Sequence, residues 1–255
     1  MQVSQIAAQL YTLRDFCKTP QDIAQTLKRV RAIGYEAVQV SGIAYVPEEE
    51  MKAMLDGEGL VCCATHEAPQ KIFEETEAVI ERLQKLGCEY TAIPSPGTYD
   101  VSTLEAARKF AALANTAGAK FQAAGQTLCY HNHHHEFIHI EGKPLLEILY
   151  GETDPKNLQG EPDTYWVQYG GASVLEWMQK LNGRLPLLHV KDYGITAERQ
   201  PIFREIGKGN LNWHDILPAA EASGCRWFIV EQDTCEGDPF EALQTSFEYL
   251  KGHCN

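Results

Sequence analysis

Residues 127–137 read TLCYHNHHHEF, an apolar run that passes directly into a cluster of polar and titratable side chains. Its first part, residues 127–131, has the length and composition of a buried β-strand. The same change from apolar to polar recurs in the segments CCATHE, LLHVKDY and FIVEQD. The chain is therefore expected to contain several buried strands that each end in groups capable of chemistry.

Helix-like segments separate these runs. The first begins at Thr19-Pro20, a capping residue followed by a proline suited to the first turn, and ends at Gly34. Eight strands are predicted, at residues 5–10, 37–40, 60–64, 90–93, 127–131, 165–167, 185–190 and 227–231. Strands that alternate with helices predict a parallel α/β sheet. Eight such units favour one closed (β/α)8 TIM barrel over residues 1–255, since the nucleotide-binding motifs of open sheets are missing.

Composition excludes several classes of partner. The formal net charge of −13 argues against nucleic acid, which needs a basic surface. No apolar run reaches the length of about 18 residues typical of a membrane span. The amino terminus does not have the pattern of a signal peptide, so we expect a cytoplasmic protein. The eight cysteines form no C-x-x-C motif and are expected to be reduced.

Polar side chains that follow the strands are candidates for one site, because the active site of such a barrel lies at the carboxyl ends of its strands. Carboxylates mixed with imidazoles suit a divalent cation, and the lack of thiolates disfavours a structural zinc site. Taken singly, His189 could be a core histidine and Asp163 a turn residue. Their shared position after successive strands favours a functional interpretation.

The motif YHNHHHEF resembles the YHNHxxEF signature of the xylose isomerase-like TIM barrels, often called sugar phosphate isomerases/epimerases. The segments DTYWVQYGG, GRLPLLHVKDY, GKGNLNW and WFIVEQD follow in that family's order, so the resemblance covers nearly the whole chain. It implies the same barrel and one divalent metal ion, with manganese, zinc, cobalt and magnesium as candidates. The ligands it implies are Glu136, Asp163, His189 and Glu231.

The resemblance also implies roles around the metal. His133 is the implied acid/base, and Glu231 and Lys191 are further candidates for moving a proton. The side chains expected to contact the substrate are His66, His131, Trp166 and Asp192. His131 is also an alternative to Glu136 as ligand, because other branches of the family carry a glutamate directly at the end of the fifth strand.

We therefore expect a metal-dependent isomerase or epimerase that abstracts a proton next to a metal-bound carbonyl or hydroxyl. Elimination from a keto-sugar or inosose is a close second. The expected substrate is a small unphosphorylated sugar or cyclitol, since no phosphate-binding loop is visible. An endonuclease-type hydrolase and a non-catalytic sugar-binding subunit are the remaining alternatives, and homo-oligomer formation is left open.

Overall fold

A computed structural model describes residues 1–254, and within them eight parallel strands form a nearly closed barrel. The strands are β1 (Ile6–Gln9), β2 (Ala37–Val40), β3 (Val61–His66), β4 (Tyr90–Ile93), β5 (Thr127–His131), β6 (Gln159–Glu161), β7 (Leu187–Val190) and β8 (Trp227–Val230). Hydrogen bonding joins them in the order β6-β5-β4-β3-β2-β1-β8-β7. An isolated parallel bridge between Asp163 and His189 joins β7 to the segment after β6. The predicted (β/α)8 TIM barrel is confirmed.

Helices connect the strands, as parallel neighbours require. They are α1 (Pro20–Ile33), α2 (Glu48–Glu58), α3 (Pro69–Glu74), α4 (Thr76–Leu86), α5 (Leu104–Ala123), α6 (Leu145–Gly151), α7 (Thr164–Tyr169), α8 (Val174–Lys180), α9 (Trp213–Ala222) and α10 (Pro239–Lys251). The first begins as predicted, because the Thr19 hydroxyl accepts a hydrogen bond from the backbone N–H of Asp22. None of the helices in residues 1–254 combines the length and apolar character needed to cross a membrane.

The interior of the barrel is lined by small side chains. A separate buried cluster includes Ala7, Ala37, Cys129, Leu187 and Ile229, one from each of five strands. Side chains alternate between the two faces of a strand, so the residues two positions later along these strands share the same inner face. The apolar cluster is therefore followed directly by a layer of polar side chains at the carboxyl ends of the strands. All eight cysteines are free.

The sixth strand differs from the prediction. The structure has β6 at Gln159–Glu161, whereas residues 165–167 lie in α7. The Asp163 carboxylate accepts a hydrogen bond from the backbone N–H of Trp166 at 3.0 Å and so caps that helix. The prediction for residues 165–167 (YWV) is wrong because an apolar run this short does not distinguish a strand from a buried helix.

Two further features position the loops around the barrel. The helical segment between β3 and β4 is divided at Glu75 into α3 and α4. After β7 the chain forms an unpredicted antiparallel hairpin, in which Asp192–Ile195 pairs with Pro201–Arg204. This hairpin brings Phe203 beside Trp166, with ring centroids 5.6 Å apart, and thus adds an aromatic wall at the mouth of the barrel.

Candidate metal centre

A layer of buried polar side chains lies at the carboxyl ends of the strands. Its members, each from the end of a barrel strand or the next few residues, are Gln9, Gln39, His66, His131, Glu161, Asp163, His189, Lys191 and Glu231. Apart from His66, each is no more than 6% exposed. Burying so many polar groups is unfavourable unless they satisfy one another, so their contacts decide what the layer can do.

His189 is held from both sides. Its Nε2 lies 2.7 Å from Gln39 Oε1, and its Nδ1 lies 2.8 Å from Glu231 Oε2. Because the Gln39 amide nitrogen donates to Glu161, its oxygen is the acceptor for the Nε2 proton of His189. Burial lowers the pKa of His189, but Glu161 and Glu231 outweigh that effect and raise the pKa to about 10. Nδ1 is the ring nitrogen directed at Glu231 and Asp163, and a metal ion held there would replace its proton.

Lys191 follows on the same inner face and contacts three carboxylates. Its ammonium nitrogen lies 2.7 Å from Glu231 Oε2, 2.9 Å from Asp163 Oδ2 and 3.0 Å from Asp233 Oδ2. Burial acts to lower the pKa of Lys191, but the three carboxylates raise it well above its ordinary value. The side chain is therefore a fixed positive charge within the polar layer.

Two overlapping groups of side chains have ligand atoms within 4.8 Å of one another. One is His131, Asp163, His189 and Glu231, and the other is His66, His131, Glu161 and His189. In the second group, both oxygens of Glu161 are already engaged, by Gln39 at 2.7 Å and by His66 at 2.5 Å. The first group is thus the better candidate for an ion.

Unpaired atoms in the first group fit a divalent ion. Within residues 1–254, His131 Nδ1 and Asp163 Oδ2 are buried without a hydrogen-bond partner, although Asp163 Oδ2 also forms the ion pair with Lys191. Burial raises the pKa of Asp163 to about 6, although the charges of Lys191 and His189 act to lower it. Two imidazoles and two carboxylates are a suitable donor set for manganese, cobalt or zinc once His189 Nδ1 has given up its proton.

Glu136 lies apart from this group. Its carboxylate accepts hydrogen bonds from the Tyr130 hydroxyl and from the backbone N–H of His133, each at 2.8 Å, and contacts His135 Nε2 at 3.0 Å. The structure thus brings three of the four expected ligands together and adds His131, the alternative for the fourth. The separation arises because β5 ends at His131, whereas Glu136 lies five residues later in a 3-10 turn, His135–Phe137.

His133 and Trp166 flank the mouth. The two rings lie 5.4 Å apart, and the ring of His131 lies 5.0 Å from that of His133. Burial lowers the pKa of His133 to about 4, so the ring is a neutral imidazole. His133 Nδ1 and Trp166 Nε1 are buried without a hydrogen-bond partner in the part of the chain that the structure describes. Two buried polar atoms at this mouth are thus left without a protein partner.

Asp192 is placed differently from the other expected substrate contacts. Its carboxylate is completely buried and accepts hydrogen bonds from four backbone N–H groups and one indole N–H. The donors belong to Tyr193, Gly207, Gly209, Leu211 and Trp213, at 2.7–3.2 Å. Asp192 therefore holds the segment GKGNLNW against β7, so it is the other expected substrate residues, His66, His131 and Trp166, that lie at the candidate centre.

Three residues of the polar layer were missed in the sequence. Glu161 was hidden because its strand is three residues long and lies in a polar segment. Gln9 and Gln39 each interrupt an otherwise apolar strand at its carboxyl end, and that signal was available in IAAQ and AVQV. Gln9 donates to Gln39 at 2.6 Å, so the two amides form a chain that orients His189.

The chain resembles known proteins along most of its length. A family model described as xylose isomerase-like TIM barrel matches residues 27–253. The curated inosose dehydratase of Geobacillus thermodenitrificans is 27% identical in an alignment 157 residues long. This alignment covers 55% of this chain and 52% of the relative. The matched region thus spans about half the length of that relative.

Solved structures share the fold. A sugar phosphate isomerase/epimerase from Parabacteroides distasonis has a TM-score of 0.85 at 23% identity, covering 98% of this chain and 94% of that one. A xylose isomerase-like TIM barrel protein from Mycobacterium smegmatis, solved in complex with magnesium, has a TM-score of 0.75 at 13% identity, with 99% and 97% covered. At these identities the likeness concerns the fold alone.

The contacts of Asp192 predict a structural role that can be measured. Asp192→Asn is expected to lower the free energy of unfolding by about 2–4 kcal/mol, because an amide nitrogen would face buried N–H donors. Asp215→Asn is the matched control, since that carboxylate accepts only an exposed side-chain bond from Asn212, and it should change stability by less than about 0.5 kcal/mol. Denaturant unfolding followed by circular dichroism makes the comparison. Equal stability of the two variants would contradict the assigned role.

Proposed function

Because this chain belongs to the family of xylose isomerase-like TIM barrels, we propose that it is a divalent-metal-dependent enzyme acting on a small sugar or cyclitol. The proposed reaction breaks a C–H bond next to a carbonyl or hydroxyl carbon and returns the proton to the same or a neighbouring carbon. It is thus an isomerisation or epimerisation.

One observation carries this proposal: the ligand atoms of His131, Asp163, His189 and Glu231 lie within 4.8 Å of one another at the mouth of the barrel. These four side chains would hold the ion, with His131 in the position for which Glu136 was the first expectation. The unpaired His131 Nδ1 supports this choice, whereas the Glu136 carboxylate already has three partners. A divalent ion bound there supplies Lewis-acid polarisation of a substrate oxygen.

Proton transfer and substrate binding are assigned to the side chains around the proposed centre. His133 is proposed to take the proton and, in an isomerisation, to deliver it to the neighbouring carbon, since its unpaired Nδ1 and neutral ring suit a base beside the site. Epimerisation needs a second group that delivers a proton to the opposite face of the same carbon, and Glu231 is proposed for that step. Lys191 remains an ammonium group and is proposed to exchange one of its three carboxylate contacts for a substrate oxygen as negative charge develops on that oxygen. His66, anchored to Glu161, and Trp166 are proposed to bind substrate hydroxyls and one face of the ring.

Elimination of water is the second candidate. The relative from Geobacillus thermodenitrificans is an inosose dehydratase, and a dehydration can begin with the same proton abstraction. The two reactions then differ in whether the proton returns to carbon or a hydroxyl group leaves. His133 and Lys191 serve the first step in both cases, so product analysis on a panel of keto-sugars and inosose separates them.

Metal content tests the centre. Protein stripped with a chelator and dialysed against manganese(II) is expected to retain one ion per chain. Glu231→Gln and His131→Ala should each weaken binding by more than about 100-fold, because losing a ligand costs more than losing a supporting partner. Glu136→Gln is the matched control and should retain the manganese. The assignment fails if Glu136→Gln loses the ion while His131→Ala keeps it.

Proton transfer is tested separately. Turnover in deuterated water should place deuterium at one carbon of the product, because a solvent-exchanging base carries the proton. His133→Ala is expected to lower kcat by about 10²–10⁴-fold while its manganese content stays at the wild-type level. Product without deuterium would point to an internal hydride shift, and a simultaneous loss of manganese would make His133 a supporting residue of the centre instead.

A further inference from the structure

A second group of metal-binding side chains lies beside the proposed centre and shares no ligand with it. We propose that His133, His135 and Glu136 form a second metal site, specific for zinc or a similar transition-metal ion. Their ligand atoms lie within 4.8 Å of one another. The proposal does not depend on the enzymatic function, because it concerns binding alone.

The backbone turn after β5 arranges this group. Glu136 and His135 lie in the 3-10 turn, and the Glu136 carboxylate is fixed by the Tyr130 hydroxyl and the backbone N–H of His133. His135 Nε2 lies 3.0 Å from Glu136 Oε1. The rings of His133 and His135 are nearly parallel, with centroids 5.6 Å apart. Three potential ligands thus lie close together before any ion binds.

An unpaired atom points to a ligand at this place. Within residues 1–254, His133 Nδ1 is buried and has no hydrogen-bond partner, which is unfavourable for a polar atom unless something binds it. The imidazole of His135 is 44% exposed, so an ion has a route to the group from solvent. None of His133, His135 and Glu136 belongs to the four proposed ligands of the main centre.

The donor set indicates the class of ion. Two imidazoles and one carboxylate match zinc sites that keep a fourth position open for water or substrate. This set, richer in nitrogen than the main centre, favours zinc, cobalt or nickel over manganese and magnesium. The YHNHxxEF signature leaves residues 134 and 135 unspecified, so the site depends on the histidine that this chain has at position 135. An ion there would also occupy His133 and so compete with its proposed role in proton transfer.

Zinc stoichiometry tests the proposal. Untagged protein is stripped, dialysed against zinc chloride at about 10 µM free zinc, within the range of labile protein sites, and analysed by mass spectrometry of the metal. Wild type is expected to bind two zinc ions per chain, and His135→Gln one. His134→Gln is the matched control, because that ring packs on Trp166 and Tyr169 outside the group, and it should still bind two.

Glu231→Gln separates this proposal from the main centre, since it should keep only the second ion. The second site is refuted if wild type binds one ion that Glu231→Gln loses, or if His135→Gln still binds two. Conversely, a single wild-type ion that is lost in His135→Gln and kept in Glu231→Gln would support the second site and refute the main centre. Matching thermal unfolding curves of the variants exclude a loss caused by misfolding.

Discussion

Three carboxylates, those of Glu161, Asp163 and Glu231, are buried together at one end of the barrel, and the rest of the site depends on how their charges are balanced. Buried charges are tolerated only when paired or bound to a metal. His189 and Lys191 supply part of that balance, through contacts of 2.7–2.9 Å with Glu231 and Asp163. Within residues 1–254, His131 Nδ1 has no hydrogen-bond partner, and Asp163 Oδ2 is paired only through its charge with the Lys191 ammonium group; we propose that a divalent ion completes the balance here.

The same residues also hold the barrel together. The isolated bridge that links β7 to the segment after β6 pairs Asp163 with His189, and the backbone N–H of His189 donates to the carbonyl of Pro162 at 2.9 Å. Below this bridge, small side chains such as Ala7 and Ala37 fill the barrel and leave its upper layer to polar groups. The backbone pairing that joins β7 to the segment after β6 therefore sets the spacing of two proposed ligands, Asp163 and His189.

Much of this arrangement was predictable from the sequence, because strands buried on both faces form continuous apolar runs. The bounds of β2, β4 and β5 agree with those runs. By contrast, β6 is three residues long and follows the polar segment GETDPKNL, so its position and Glu161 could not be inferred from hydrophobicity. Partners that meet only in three dimensions, such as Gln39 and His189, were also beyond the sequence pattern.

The fifth strand shows what geometry adds to a motif. The motif contains both His131 and Glu136, and sequence alone left the choice between them open. Strand alternation directs His131 into the barrel with Cys129, whereas the later turn directs the Glu136 carboxylate to Tyr130 and His135. The motif HNHHHEF therefore contributes to two separate groups of potential ligands.

The central claim is that one divalent ion is held at the barrel mouth by His131, Asp163, His189 and Glu231. Anomalous diffraction from a crystal grown with manganese(II), recorded at the manganese absorption edge, tests it most directly. The account predicts a strong peak within coordination distance of all four side chains. A peak beside Glu136 without His131 as a ligand, or no peak near Asp163 and His189, would contradict it.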